Sequence, residues 1–466
     1  MTQRWTIEEL ETWDERIRAK AEEFGLHCFP QEFEVCDHEQ MLGYMAYRGM
    51  PAQYPHWSFG KAYEKLKTLY NYGVSGLPYE MVINANPSLA YLMRDNSLCL
   101  QLLTISHVYG HNDFFRNNYM FRDTRPELVI GLFKLHADRL RGYVEDPSIG
   151  LARVEEILDA AHALSLQMRR HTAIRKLSHE EQREQLLEAA QPPKDPFERI
   201  HKAPEYREPD LSRVPLEPEE DLLLFIAEHN PYLAEWQRDI LRIVHTEAQY
   251  FLPQIETKIM NEGWASYWHH KIMHSLDLPD HLHLEFLVHH NQVVRPHLGA
   301  LNPYYVGFKI WQDLERRYGG GEGGRTPEIL FEARESERDV SFLRRFLTRE
   351  LMEEMHMFEY QREQDKLVVS RVADETEWEN VKQTLLRNVG MATVPVIRVV
   401  DADFRHTRAL RLVHEHDGRD LDLEYLERTL KYVYDLWGRP VLLETRVRNE
   451  PVTFSRTENG FERLKR

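Results

Sequence analysis

The sequence predicts an α+β protein in which a large, mainly α-helical N-terminal region is followed by a small C-terminal α+β domain. Three observations lead to this prediction. Apolar residues recur with the 3.6-residue period of an α-helix up to about residue 360. Beyond that point the period falls to two, which is typical of half-buried strands. Seven of the 23 prolines lie between Pro192 and Pro218, a density that interrupts the helical pattern.

These changes of pattern divide the chain into four parts. We predict an N-terminal helical part of the core at 1–190, a proline-rich connection at 191–220, a second helical part of the core at 221–360 and a small α+β domain at 361–466. Proline-rich chain of this kind is expected to be extended and to run over the surface.

Helices are predicted along both parts of the core. The first spans about 6–24 and opens with Thr6 and Glu9 at the spacing of a capping box. The other predicted segments are 33–67 as short helices joined by turns, two helices within 84–118 of which the second spans about 96–117, a helical stretch at 126–187, and helical periodicity that resumes at Asp221.

The C-terminal domain is predicted to contain strands and two helices. Five segments with alternating or apolar residues are predicted as strands, namely 366–373, 394–402, 407–416, 440–447 and 451–456. Helices are expected between them at 377–389 and 422–438. The resulting order of strands and helices is that of a small α+β sandwich, so this domain is predicted to be a separate unit.

Charge and composition exclude several classes of protein. The net charge of −17 argues against binding of nucleic acid and of anionic membrane surfaces. The three cysteines, Cys28, Cys36 and Cys99, form no CxxC pair, so neither a disulfide framework nor a thiolate zinc site is indicated. No segment reaches the roughly 18 apolar residues of a membrane span, and the charged N-terminus differs from a signal peptide. We therefore predict a cytoplasmic protein.

His107 and His111 are the first candidate metal ligands. Two histidines four positions apart on a helix project from one face, so their ring nitrogens can converge on one cation. Zinc enzymes use this spacing in the HExxH motif, where the glutamate is the general base. Val108 occupies that position here. The pair therefore has ligand spacing without the usual base, and partly buried structural histidines are the alternative interpretation.

Glu262, in the segment NEGWASYWHH, is the candidate third ligand. Zinc enzymes of the gluzincin type take a glutamate ligand from a later helix, and some carry it in an EGWAxY-like segment similar to this one. We therefore predict zincin-like helices that hold Zn²⁺ through His107, His111 and Glu262. The alternative is a core helix with a tryptophan stripe and a glutamate paired to a lysine one turn earlier. His289 and His290 are expected either to line the same cavity or to be exposed on a loop.

A hydrolytic site also needs a group that activates water, and Asp113, His269 and Glu247 are the candidates in descending order. Asp113 lies two positions beyond His111, so its side chain faces the histidine pair only if the helix ends there. Glu262 follows His111 by 151 positions (262 − 111), a longer gap than is usual in such enzymes. We attribute the gap to the helical insert and the proline-rich connection.

Four segments give the chain a resemblance to a known family: HVYGHNDFFRNN, PQIETKIMNEGWASYWHH, VVRPHLGALNPYYVGFKIWQDLERR and GRPVLLETRV. These segments are long and collinear, and they resemble the stage V sporulation protein R family, the SpoVR-like proteins. The resemblance implies a cytosolic bacterial protein linked to sporulation, in particular spore cortex formation, or to stress response. It also implies two partners encoded nearby, a serine protein kinase and a von Willebrand factor A-like protein.

Two hypotheses on function follow. The first is a cytoplasmic metal-dependent hydrolase, either a peptidase or an amidase. The second is a non-catalytic regulator or scaffold in a serine-kinase-linked pathway, with a structural or vestigial metal site and a C-terminal domain that binds partners. The three ligand-type residues favour the first hypothesis, and Val108 favours the second.

Overall fold

The structure is a computed structural model that describes residues 5–72, 80–170, 174–190, 209–296, 301–319, 326–357, 360–363, 366–369 and 375–464. Residues 191–208 of the predicted proline-rich connection and residues 370–373 of the first predicted C-terminal strand lie outside the described residues. None of the described helices combines the length and the apolarity that a membrane span requires.

Helices make up most of the described chain. They are α1 (Ile7–Glu23), α2 (His38–Ala46), α3 (Trp57–Asn71), α4 (Leu98–Asn117), α5 (Val129–Glu145), α6 (Leu151–Leu164), α7 (His179–Ala190), α8 (Leu222–His229), α9 (Glu235–Glu256), α10 (Lys258–Ser275), α11 (Asp280–Val293), α12 (Pro303–Tyr318), α13 (Glu328–Ser336), α14 (Asp339–Phe346), α15 (Arg349–Glu354), α16 (Glu375–Arg387) and α17 (Leu423–Trp437).

Strands form three sheets in the described residues. The strands are β1 (Gln31–Cys36), β2 (Glu80–Ile83), β3 (Ser88–Met93), β4 (Tyr360–Glu363), β5 (Lys366–Val369), β6 (Ile397–Phe404), β7 (Ala409–His414), β8 (Val441–Val447), β9 (Glu450–Thr457) and β10 (Gly460–Leu464). The sheet orders are β1-β3-β2, β4-β5 and β10-β9-β8-β7-β6. A mainly helical chain with a small C-terminal sheet confirms the predicted α+β class.

Part of the N-terminal region differs from the predicted helices. β1 pairs in parallel with β3, and β2 pairs with β3 in antiparallel. β3 is a short apolar run, and the apolar pattern of such a run does not distinguish a strand from a buried helix. Its pairing with β1, which lies more than fifty residues earlier in the chain, made it a strand. The helix predicted after it is present as α4, with Ser97 as its N-cap.

The chain forms two compact units. Unit 1 consists of Met1–Arg141 and Gln249–Thr393, and unit 2 consists of Gly142–Ala248 and Val394–Arg466. Each unit is therefore built from two separate stretches of chain, whereas the predicted division follows chain order.

The core of unit 1 is built around α10, which packs against α4 and α12 at backbone distance. A Cβ atom at Gly110 of α4 would lie 2.6 Å from the Cα atom of Ala265. A Cβ atom at Gly263 would lie 2.4 Å from the backbone of Gly307 on α12. Both distances are too short for any side chain, so glycine at these positions permits the close helix contacts. The contacts bring the side chains of α4 and α10 next to one another.

Tryptophan residues fill the space around these helices. Trp264, Trp268 and Trp311 are fully buried, and the Trp264 ring lies 4.7 Å from that of Trp311 and 5.4 Å from that of Trp268. Buried aromatic pairs in such edge-to-face contact contribute about 0.5–1.5 kcal/mol beyond the burial of their area. The aromatic residues of α10 are therefore core residues, and they hold the helix in a fixed rotational position.

Unit 2 contains the five-stranded sheet, with α17 packed on it. β7 and β8 are parallel neighbours joined by α17 as the crossover. Buried apolar residues of α17 face the sheet, namely Leu426, Leu430, Val433, Leu436 and Trp437. Arg448 and Asn449 have positive φ angles of 53° and 65° and form the tight turn between β8 and β9.

Candidate metal centre

Helix α4 places two histidines in the interior of unit 1. Every residue of this helix from Cys99 to Phe115 is buried. His107 and His111 are 3% and 5% exposed, and their ring centroids are 4.6 Å apart. The pair therefore has the one-face geometry that its spacing predicts.

Helix α10 brings a carboxylate to this histidine pair. The buried carboxylate of Asp339 accepts the backbone N–H groups of Ile259 and Met260, both at 2.9 Å, and so holds the first turn of α10. Glu262 follows two residues after Met260. It directly precedes Gly263, where α10 contacts α12. The start of α10 is thus held on two sides, and the position of Glu262 follows from both contacts.

The three side chains converge on one point. Glu262 Oε2 lies 3.7 Å from His107 Nε2 and 3.4 Å from His111 Nε2. In the described part of the chain these are the residues whose ligand atoms form a three-member group, all within 4.8 Å of one another. Zinc bonds nitrogen and oxygen ligands at about 2.0–2.2 Å in tetrahedral geometry, which places two ligand atoms about 3.3–3.6 Å apart. The 3.4 Å separation lies within this range, and the 3.7 Å separation is 0.1 Å longer.

Glu262 has an oxygen atom that this arrangement leaves without a hydrogen bond. Its Oε2 atom is buried and accepts no hydrogen bond from any described residue. Burial raises the pKa of Glu262. The contacts with His107 and His111 lower this pKa by more than burial raises it, so the pKa is well below the usual range and the group is ionised. A buried, ionised oxygen that faces two imidazoles is suited to a cation.

Asn261 fixes the orientation of one of the histidines. His111 Nδ1 lies 2.8 Å from Asn261 Oδ1, which can only accept a hydrogen bond. Nδ1 therefore carries a proton, and Nε2, the nitrogen that faces Glu262, is the one that can bind a metal ion when the ring is neutral. Metal-binding histidines commonly donate their second ring nitrogen to an oxygen in this way.

The other histidine is held by a chain of imidazoles. His107 Nδ1 lies 2.9 Å from His269 Nδ1, and His269 Nε2 lies 2.8 Å from His290 Nδ1. Burial lowers the pKa of His269 well below its usual range and that of His290 to about 3, so both rings are neutral. When each ring donates outward along the chain, the lone pair of His107 lies on Nε2 and faces Glu262.

Comparison with known proteins identifies the family. The family model described as SpoVR like protein matches residues 4–394, and the model described as SpoVR-like C-terminal domain matches residues 395–448. The chain belongs to the SpoVR family. The "Uncharacterized protein YcgB" of Escherichia coli (strain K12) is 33% identical to this SpoVR chain over 472 residues, which cover 94% of the chain and 92% of the relative. No solved structure matches the chain.

Asp113 of the SpoVR chain lies outside the converging group. α4 continues to Asn117, so the side chain of Asp113 points away from the histidine pair. Its two oxygens accept hydrogen bonds from Arg334 Nη1, both at 2.8 Å, from Trp264 Nε1 at 2.9 Å and from the backbone N–H of His27 at 2.7 Å. The carboxylate thus links α4, α10 and α13 in the core.

The other two candidate bases occupy different positions. His269 contacts His107 from behind, through Nδ1, so it lies on the side of the ring that faces away from Glu262. Glu247 is buried on α9 and belongs to unit 2. None of the three predicted bases is therefore in the group formed by His107, His111 and Glu262.

Two residues that contact the ligands had weak signals in the SpoVR sequence. Asn261 directly precedes Glu262, and only the approach of α4 reveals that it accepts from His111. The sequence left open whether His290 lines the cavity or lies on a loop. It lies on α11, is 5% exposed and reaches His269, whereas His289 pairs with Glu285 at 3.5 Å.

Proposed function

We propose that this SpoVR-family protein holds a divalent metal ion, with Zn²⁺ as the best fit, on His107, His111 and Glu262, and that the ion serves hydrolysis of peptide or amide bonds. The supporting observation is the convergence of two imidazole nitrogens on one ionised carboxylate oxygen at 3.4 and 3.7 Å. Family membership suggests a sporulation-related role, and we place the reaction in spore cortex formation or stress response in the cytoplasm.

His107, His111 and Glu262 would bind the ion, and Asn261 and His269 would orient the two histidine rings. A bound divalent ion supplies Lewis acidity, which polarises a carbonyl group and lowers the pKa of water. Three protein ligands leave the fourth tetrahedral position open, as in catalytic zinc sites. The side chain of Glu262 is 20% exposed, against 3% for His107 and 7% for His111, so a substrate would approach from the side of Glu262.

The second candidate function is a non-catalytic regulator or scaffold. It is favoured by the positions of Val108 and Asp113. Val108 is fully buried at the position of the HExxH glutamate, and Asp113 is held by Arg334. In this case the metal ion would stabilise unit 1, and unit 2 would bind partners, namely the serine protein kinase and the von Willebrand factor A-like protein that the family resemblance implies.

Metal analysis of the purified full-length protein tests the site. We expect about one equivalent of zinc in the wild type and none in a His107→Ala/His111→Ala variant. Glu262→Gln, which keeps the shape of the side chain and removes its charge, is expected to lose the ion as well. His414→Ala, which removes a buried histidine from unit 2, is the control and should keep it. Absence of metal from the wild type after zinc supplementation would refute the proposal.

Turnover separates the two functions once metal is present. The zinc-loaded protein and the Glu262→Gln variant would be compared on peptide libraries and on amide-linked cell-wall fragments. Hydrolysis by the wild type alone supports the hydrolase. A stoichiometric metal ion with no turnover, together with binding of the full-length chain to the kinase, supports the scaffold.

A further inference from the structure

A second group of histidines lies where α10 and α11 meet. His270 and His274 are one turn apart on α10, with ring centroids 4.4 Å apart. His283, on α11, has its ring centroid 5.2 Å from that of His274. Two imidazoles on one helix and a third from the next helix in the chain form an arrangement in which their nitrogens can reach one ion. The centre on α4 uses none of these three residues.

The three rings pack against the side chain of Phe286. Phe286 of α11 is fully buried, and its centroid lies 6.3, 5.2 and 6.0 Å from those of His270, His274 and His283. A cavity of about 410 Å³ opens beside His270 and His274. It is also lined by Tyr267, Lys271, Ser275, Gln312 and Glu315. The rings of His270 and His274 therefore pack against Phe286 on one side and border the cavity on the other.

These histidines have no visible structural bonding role. Within the described residues, the rings of His270, His274 and His283 make aromatic contacts but no hydrogen bond or ion pair. A histidine with a structural role normally donates or accepts at least one hydrogen bond. Three adjacent imidazoles without one leave several ring nitrogens available for another ligand.

Burial favours the neutral form of His270 and His274. Burial, together with the neighbouring His274, lowers the pKa of His270 to about 4. Burial and the neighbouring His283 also lower the pKa of His274. The other charged groups at the cavity, Lys271 and Glu315, pair with each other. Neutral imidazoles carry the lone pairs that a transition metal requires.

We propose that His270, His274 and His283 form a second metal site, which takes a divalent transition-metal ion that prefers imidazole, such as Ni²⁺, Cu²⁺ or Zn²⁺. The ligand atoms of the α4 centre already converge, whereas these rings must turn to do so. His274 is exposed and has room to rotate. The site is therefore weaker than the α4 centre, and it exists whether or not that centre binds metal.

Binding of Ni²⁺ alone to the full-length protein tests this site. The background is His107→Ala/His111→Ala, so that the α4 centre does not contribute. Equilibrium dialysis and calorimetry are expected to give one equivalent of Ni²⁺ in this background. Adding His274→Ala and His283→Ala should weaken binding at least tenfold. The matched control adds His281→Ala and His289→Ala, which also remove two histidines, both from α11, and should leave binding unchanged.

Two results would overturn the second site. One is the absence of Ni²⁺ binding in the background protein, and the other is equal binding by the cluster and control variants. Should the full cluster variant fail to fold, His274→Ala alone replaces it, because this exposed side chain carries no part of the core. Copper provides an independent readout, since its electron paramagnetic spectrum should show coupling to imidazole nitrogens that is lost in the same variants.

Discussion

The two histidine groups of unit 1 have nearly the same spacing but different surroundings. The rings of His107 and His111 are 4.6 Å apart, and those of His270 and His274 are 4.4 Å apart. The first pair is buried and each ring is held through Nδ1, by His269 and Asn261. The second pair is partly exposed and has no such bonds within the described residues. Spacing therefore permits convergence, and the contacts behind the rings determine whether it is preformed.

This difference predicts a difference in affinity. Ordering a flexible side chain on binding costs about 0.5–1.5 kcal/mol. The rings of His270, His274 and His283, the surface group, must become ordered when the ion binds. The side chains of His107, His111 and Glu262, the buried group, are already ordered in the folded protein. The buried group also has a carboxylate, Glu262, whereas the third member of the surface group is an imidazole, His283. The buried centre is thus expected to bind divalent ions more tightly.

The largest expected effect concerns the ion pair of Asp113 with Arg334, which links the helices that carry His107, His111 and Glu262. Arg334→Met should destabilise the protein by about 3–5 kcal/mol, because it leaves the buried carboxylate of Asp113 without its partner. Urea unfolding followed by circular dichroism measures the loss. Arg141→Met is the control, since its pair with Asp138 is at the surface, and it should change stability by less than about 1 kcal/mol. Equal losses of stability in both variants would contradict the role of Asp113 in linking α4, α10 and α13.

A smaller effect, on metal affinity, is expected from substitution of Asn261, which orients the ligand His111. Asn261→Leu removes the acceptor of His111 Nδ1 and should weaken zinc binding at the buried centre about 10–100-fold, which is the usual effect of removing such a partner. Competition with a chromophoric chelator measures the affinity. Ni²⁺ binding by the surface group should not change. An unaltered zinc affinity in Asn261→Leu would show that the orientation of His111 does not depend on this bond.

The smallest effect is a pH dependence that belongs to the surface group. His270 has a folded-state pKa of about 4 against an ordinary value of 6.5, so between these pH values the unfolded chain binds more protons. The contribution of His270 to the free energy of unfolding therefore rises from pH 4 to about 6.5 and is then level. His270→Gln should reduce the loss of stability between pH 7 and pH 5 by about 1 kcal/mol, which is roughly half of the full linkage value because solvent screens the half-buried ring.

Urea midpoints at the two pH values measure this difference, with His281→Gln as the control on the exposed face of α11. A loss of stability in His270→Gln as large as in the wild type would mean that His270 is not responsible for the acid sensitivity.

The sequence by itself determined the elements that depend on local pattern. It predicted the α+β class, and a helix at about 96–117 that the structure has as Leu98–Asn117. It also selected His107 and His111, because an i,i+4 pair on a helix shares one face whatever the rest of the chain does, and Glu262, because its segment is similar to one in gluzincin-type zinc enzymes. The family resemblance was likewise carried by contiguous segments, and it is confirmed.

The tertiary structure decided everything that joins distant positions. Asp113 of α4 pairs with Arg334 of α13, and His290 reaches His269 from another helix. β3 is a strand because β1 lies beside it. Periodicity reports the local geometry of the backbone and which face is apolar, but the residue that fills a given contact is set by how closely whole helices and strands pack. Here that packing depends on glycine at the contacts of α10 with α4 and α12.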